Sequence, residues 1–136
     1  VSKQHVVETE VRVRYAETDA QGMVYYSNYF VWFEVGRMAY LREIGLEYAD
    51  LEQEGIGFVI ADASCKYLSP AHFDEVLTIR TWVEDVKEKS FGFSYEIVNK
   101  ETGNLLAKGR TVQVFINLRS GKAISIPPRV NALLRR

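Results

Sequence analysis

The chain has 136 residues, enough for one domain with a real hydrophobic core and too few for two independent ones. Seventeen basic against eighteen acidic side chains leave a formal net charge of −1, so no global field draws it to nucleic acid or to an anionic membrane surface. The one cysteine, Cys65, cannot close an internal disulfide, which favours a reducing, intracellular home.

The opening segment VSKQHVVETEVRV has no apolar stretch followed by a cleavage site, and nowhere do eighteen apolar residues run together. The expectation is a soluble, cytoplasmic protein, one domain over residues 1–136, with no membrane partner. Val7, Val11 and Val13 alternate with Glu8, Glu10, Arg12 and Arg14, the period of a strand with one solvated face. A loop follows from Tyr15 to Ser27, holding Glu17, Thr18 and Asp19 and punctuated by Gly22.

Ser27 or Asn28 can cap a helix that runs through YFVWFEVGRMAYLREIG and stops at Gly45. Its apolar residues cover most of the circumference, so burial on nearly every side is expected, with a sheet wrapped around it. Glu34 and Arg37, three apart on that helix, are expected to pair. A short peripheral helix within LEYADLEQEG comes next, before the turn at Gly55 to Gly57.

The remainder reads as strands FVIADASCKYL, EVLTIRTWVEDV, SFGFSYEIVN and LLAKGRTVQVFINL, separated by the turn segments SPAHFD, KEK and KETGN. The short connections make the last three a meander of hairpins. Pro127 and Pro128 stop any strand in IPPRVNALLRR, which ends in a short helical turn. The order predicts an α+β hotdog fold, a five-stranded antiparallel sheet curled around one long central helix.

RVRYAETDAQGMVYYSNYFVWFEVGR, with its Y-x-x-x-D-x-x-G-x-V loop from Tyr15 to Val24, resembles the 4-hydroxybenzoyl-CoA thioesterase family of hotdog acyl-CoA thioesterases. YLSPAHFDEVLTI extends the likeness across nearly the whole chain. The resemblance implies hydrolysis of an acyl-CoA to free acid and coenzyme A. It makes Asp19 the catalytic carboxylate and the Tyr26 backbone N–H the group that polarises the thioester carbonyl, with Gly22 permitting close backbone approach. Thioester hydrolysis does need a carboxylate as nucleophile or base and donors aimed at the carbonyl oxygen, and helix N-terminal N–H groups are such donors. Read without the family, Asp19 is a residue that holds a turn.

On the same footing Tyr15, Tyr25, Tyr29 and Trp32 are the substrate-binding candidates, although aromatics on a buried helix serve equally well as core. Lys87, Lys89 and Ser90 fall at a hairpin where the family contacts coenzyme A phosphates, and lysines there also serve solubility. Glu17 is expected to be a solvated loop residue. Tyr26 stands where relatives often carry His, and a phenol titrating near 10 cannot replace an imidazole at neutral pH. His5 and His72 read as surface or turn residues, and no cluster of ligand-type side chains calls for a metal or another cofactor.

Two other functions stay open: a non-catalytic acyl-thioester binding protein, and an enoyl-thioester hydratase or dehydratase, which normally needs a positioned His. The family resemblance and the unpaired edge of a curled sheet imply a homodimer or homotetramer.

Overall fold

The structure, a computed structural model, describes residues 5–136. The expectation drawn from the very first residues falls partly on 1–4, outside the described residues. The elements are β1 (Val7–Arg12), a single 3₁₀ turn (Tyr15–Glu17), α1 (Asn28–Glu43), α2 (Tyr48–Gln53), β2 (Ile56–Tyr67), β3 (Val76–Glu84), β4 (Ser90–Asn99), β5 (Leu105–Asn117) and α3 (Pro128–Leu134). The strands form one antiparallel sheet in the order β1-β3-β4-β5-β2. As the short turns require, β3, β4 and β5 are a meander. β2 is carried to the far edge, where it pairs with β5 from Ile56 opposite Asn117 to Tyr67 opposite Ala107. No helix among the described residues is long and apolar enough to cross a membrane.

The sheet and α1 meet at aromatic side chains set by the period-two pattern of β4. Phe91, Phe93, Tyr95 and Ile97 alternate along that strand and are all buried. From α1, the fully buried Phe33 lies flat on Tyr95, ring centroids 4.3 Å apart and planes 15° from parallel. Room for it comes from Gly109 on β5, directly opposite Tyr95, where a β-carbon would fall inside the Phe33 ring. Gly36, one turn further along α1, meets the Thr81 side chain on β3 in the same way.

Two expectations about α1 change. Its burial is one-sided: Tyr29, Trp32, Phe33, Tyr40 and Leu41 are buried, but Val31 is 51% exposed and Phe30, Val35 and Met38 are only half-covered. Five strands in one sheet reach one side of a helix, so its remaining apolar side is left open. Nor do Glu34 and Arg37 pair. Arg37 turns inward and donates to the Tyr95 hydroxyl at 3.2 Å, which in turn meets Thr111 Oγ1 at 2.6 Å beside the fully buried Gln113. A partner within the sheet outcompetes one on the solvated helix surface.

β2 is mostly solvent-facing, with Val59 and Ile60 exposed and a register shift between Ile60 and Asp62. As predicted, α2 is peripheral, contributing Leu51 to the core, and the C-terminal turn is α3, which starts at Pro128 and buries Val130 and Leu134. Because neither Phe33 nor Tyr95 has space to move, Gly109→Ala is expected to lower unfolding stability by about 1–3 kcal/mol, the range for overpacking a filled core. Chemical denaturation with an unchanged slope but an earlier midpoint checks this.

Candidate active site

The loop between β1 and α1 is built by hydrogen bonds that its sequence spacing permits. After β1, Val13 N–H donates to Glu75 O at 2.9 Å, and the 3₁₀ turn closes with Arg14 N–H donating to Glu17 Oε1 at 2.8 Å. Asp19 and Met23 then close a three-residue hairpin, with Asp19 N–H to Met23 O at 2.8 Å and Gly22 N–H to Asp19 O at 3.0 Å. Gly22, at φ +80°, takes the left-handed position that such a loop demands. Asp19 Oδ1 accepts from Gln21 N–H at 2.8 Å and Met23 N–H at 3.2 Å. Asp19 therefore holds the turn, and it does so with one oxygen. Oδ2 accepts no hydrogen bond among the described residues, and Asp19 lines a cavity of about 420 Å³.

Past the hairpin, Val24 N–H donates to Ala71 O at 2.8 Å and Tyr25 N–H to Glu17 O at 2.9 Å, which brings the chain back to the start of α1. There Asn28 N–H donates to Tyr25 O and Tyr29 N–H to Tyr26 O, while the N–H groups of Tyr26 and Ser27 find no acceptor among the described residues. Free donors of this kind are what a helix N-terminus leaves over. The cavity is lined by Asp19, Met23, Val24, Tyr25, Tyr26 and Tyr29 from this loop and helix, and by Tyr67, Leu68, Ser69 and Pro70 from the end of β2.

Four of those lining residues are tyrosines. Burial pushes the Tyr29 phenol up, and burial with the neighbouring Cys65 pushes Tyr67 up to about 12. The adjacent Tyr26 hydroxyl raises Tyr25. All three are thus neutral donors at neutral pH, and Asp19 brings the one carboxyl group among the cavity's lining residues. The β2 contributors were invisible to pattern reading, since Tyr67 lies 41 residues from its hydrogen-bond partner, the Tyr26 carbonyl.

Several site expectations are corrected. Glu17 is no solvated loop residue. It is 4% exposed, with its carboxylate accepting from Arg14 N–H and, at 3.3 Å, from the Trp32 indole N–H. Trp32 is buried against it and does not line the cavity. Tyr15, 77% exposed, stands outside as well, edge-on to Phe73. Tyr25, Tyr29 and Tyr26 do come together with Asp19.

Lys87 and Lys89 lie in the β3–β4 connection and Ser90 opens β4, with Lys89 O accepting from Phe115 N–H. Phe115 pairs with Phe58, and nine positions along β2 separate Phe58 from Tyr67. At about 3.3 Å per residue that is roughly 30 Å, so this hairpin and the Asp19 cavity sit at opposite ends of one chain. Neither histidine lines the cavity: His5 lies against Glu43, and His72, whose backbone pairs with Met23 of the hairpin, lies against Glu75. Among the described residues no group of His, Cys and carboxylates could hold a metal ion.

The description "Thioesterase-like superfamily" matches residues 13–134. The chain belongs to this superfamily. Among superfamily relatives, a Bacillus subtilis protein provisionally named an acyl-CoA thioesterase is 38% identical over 120 residues, 88% of this chain and 86% of its own. An acyl-CoA thioester hydrolase from Escherichia coli is 31% identical over 122 residues, 90% of each chain. Of solved structures, the DHNA-CoA thioesterase from Staphylococcus aureus superposes with a TM-score of 0.91 at 34% identity, over 96% of this chain and 89% of its own. The five-stranded curled sheet is that of the hotdog thioesterases.

Glu17→Gln should expose how far this thioesterase-like loop depends on a buried acceptor. The amide NH₂ must face either Arg14 N–H or the Trp32 indole, leaving a buried donor without a partner at a cost of about 1–3 kcal/mol. A thermal midpoint lowered accordingly, with Arg14→Ala far milder, is the expected outcome.

Proposed function

We propose that the chain hydrolyses an acyl-CoA thioester to the free acid and coenzyme A. The observation that carries this reading is the meeting, on one cavity wall, of the free oxygen of Asp19 with the loop-to-helix junction whose Tyr26 and Ser27 N–H groups are unused. Either of two routes gives the same products. Asp19 Oδ2 adds to the thioester carbonyl, expels the coenzyme A thiolate and leaves an acyl-aspartyl anhydride that water then opens. Alternatively Asp19 takes a proton from water as that water adds, and the collapsing tetrahedral species releases the thiolate, which recovers the proton. In both, the Tyr26 N–H faces the oxygen on which negative charge develops; Gly22, which does not line the cavity, contributes only the left-handed turn that places Asp19.

The departure from His at Tyr26 matters less than the sequence suggests. A thiol is far more acidic than an alcohol, so a thiolate leaves without a strong general acid, and neutral tyrosine hydroxyls suffice to solvate it. Enoyl-thioester hydration is disfavoured because no His lines the cavity. The non-catalytic binding reading would keep the cavity and lose the turnover. Coenzyme A thioesters are intracellular metabolites, which with the lone thiol of Cys65 supports a cytoplasmic site for the proposed activity.

The assembly belongs to the proposal. β2 is an edge strand with exposed Val59 and Ile60, and the open side of α1 carries Val31. A second copy pairing β2 to β2 antiparallel would satisfy that edge and turn the partner's β3–β4 hairpin toward this chain's cavity, which is how Lys87, Lys89 and Ser90 would reach the nucleotide phosphates of a bound coenzyme A. Sedimentation is expected to give at least twice the 15.6 kDa of one chain, and a monomer at micromolar concentration overturns the assembly.

Asp19→Asn keeps the carbonyl-type acceptor for Gln21 and Met23 and removes the charge. Turnover of acyl-CoA, followed with a thiol reagent, should fall at least about 10²-fold, with KM within a few fold and an unchanged thermal midpoint. Near wild-type turnover in that variant would return Asp19 to a turn-holding role alone.

A further inference from the structure

The first turn of α1 lacks the usual local cap. Ser27, at the N-cap position, makes no side-chain hydrogen bond to the helix, and the Asn28 amide is spent on Glu17 O at 3.0 Å. What holds the junction comes from elsewhere in the fold. On the loop side, Glu17 O accepts from Tyr25 N–H and Asn28 Nδ2. On the sheet side, the Tyr67 hydroxyl, at the last residue of β2, donates to Tyr26 O at 2.9 Å.

We propose that Tyr67 is the positioning residue of this site: its hydroxyl holds the Tyr26 carbonyl and so fixes the Tyr26–Ser27 peptide plane, which aims the Ser27 N–H and anchors the residue that carries the Tyr26 N–H. The inference rests on the thioester hydrolase reading for its kinetic consequence, though the tie itself does not. Three features support it. The Tyr67 bond is shorter than the other bond to the same carbonyl, from Tyr29 N–H at 3.3 Å. The Tyr67 ring, 43% exposed, packs edge-on against the buried Tyr29 at 4.9 Å and against Tyr26 at 6.4 Å, which directs its hydroxyl toward the junction. A donor on Tyr26 O also draws electron density from the Tyr26–Ser27 peptide and strengthens the Ser27 N–H as a donor. Partial burial and the neighbouring Cys65 raise the phenol's pKa, so at neutral pH the hydroxyl is protonated and can donate.

Tyr67→Phe removes only the hydroxyl. Turnover of the best substrate among acetyl-, hexanoyl- and 4-hydroxybenzoyl-CoA is expected to fall about tenfold or more at saturation, with KM within twofold, since misaimed donors cost the transition state and not ground-state binding. In parallel, amide hydrogen exchange at Asn28 and Tyr29 should quicken about tenfold while β4 amides keep their protection, because one hydrogen bond at the junction is lost. Unchanged turnover in an active protein, or a rise in KM alone, overturns the positioning role and leaves Tyr67 as cavity wall. If the wild-type protein hydrolyses none of the three, the hydrolase reading fails, and the exchange measurement alone decides the tie: faster exchange supports it, unchanged exchange overturns it.

Discussion

Everything distinctive about this site hangs on Glu17. Its carboxylate accepts from Arg14 N–H and the Trp32 indole, and its carbonyl accepts from Tyr25 N–H and the Asn28 amide. Those bonds join the end of β1 to the first turn of α1 and leave the residues between, Thr18 to Val24, no choice but to loop out as a hairpin. A carboxylate buried this far is costly unless its oxygens find donors, and here the donors are a backbone amide, the Arg14 guanidinium at 3.5 Å and an indole that only the folded chain supplies. Glu17 is the structural carboxylate of the pair, and Asp19, two residues on, keeps an oxygen to spare.

The division of labour between the two acids follows from where the chain turns. Glu17 closes a 3₁₀ turn and points back under the helix, whereas Asp19 begins a hairpin loop and points along it. Asp19 is oriented by two backbone donors on a single oxygen, and such orientation would suit a reactive carboxylate, so holding the turn is compatible with the role proposed for it.

A second constraint acts from the opposite side of the cavity. β2 must run the length of the sheet edge to deliver Tyr67 to Tyr26, and β5 must carry Gly109 at the place where Phe33 enters. Helix, loop and edge strand are therefore positioned by contacts between residues far apart in sequence. The same long edge strand and the half-open side of α1 leave apolar surface uncovered in one chain, the surface on which the proposed pairing of two copies rests.

Strands, turns and helix were legible in the sequence wherever a local rule governs them: the alternation of Val7, Val11 and Val13, the run Phe91, Phe93, Tyr95 and Ile97, the glycine stop at Gly45, Pro128 at the start of the last helix. The Asp19 to Gly22 turn was legible too, because a left-handed residue three places after an Asp leaves a mark in composition. Glu17, Arg37 and Tyr67 were not, and the reason is shared. Nothing within a few residues of Glu17 distinguishes a buried carboxylate from a solvated one; Trp32 does so, 15 positions later. Arg37 chose Tyr95, 58 residues away, over Glu34 on its own helix, and Tyr67 reaches Tyr26 across 41 residues. Periodicity reports which face of an element is apolar, but burial of a polar group and the aim of a hydroxyl depend on what the completed sheet brings against it, and only the tertiary structure decides that.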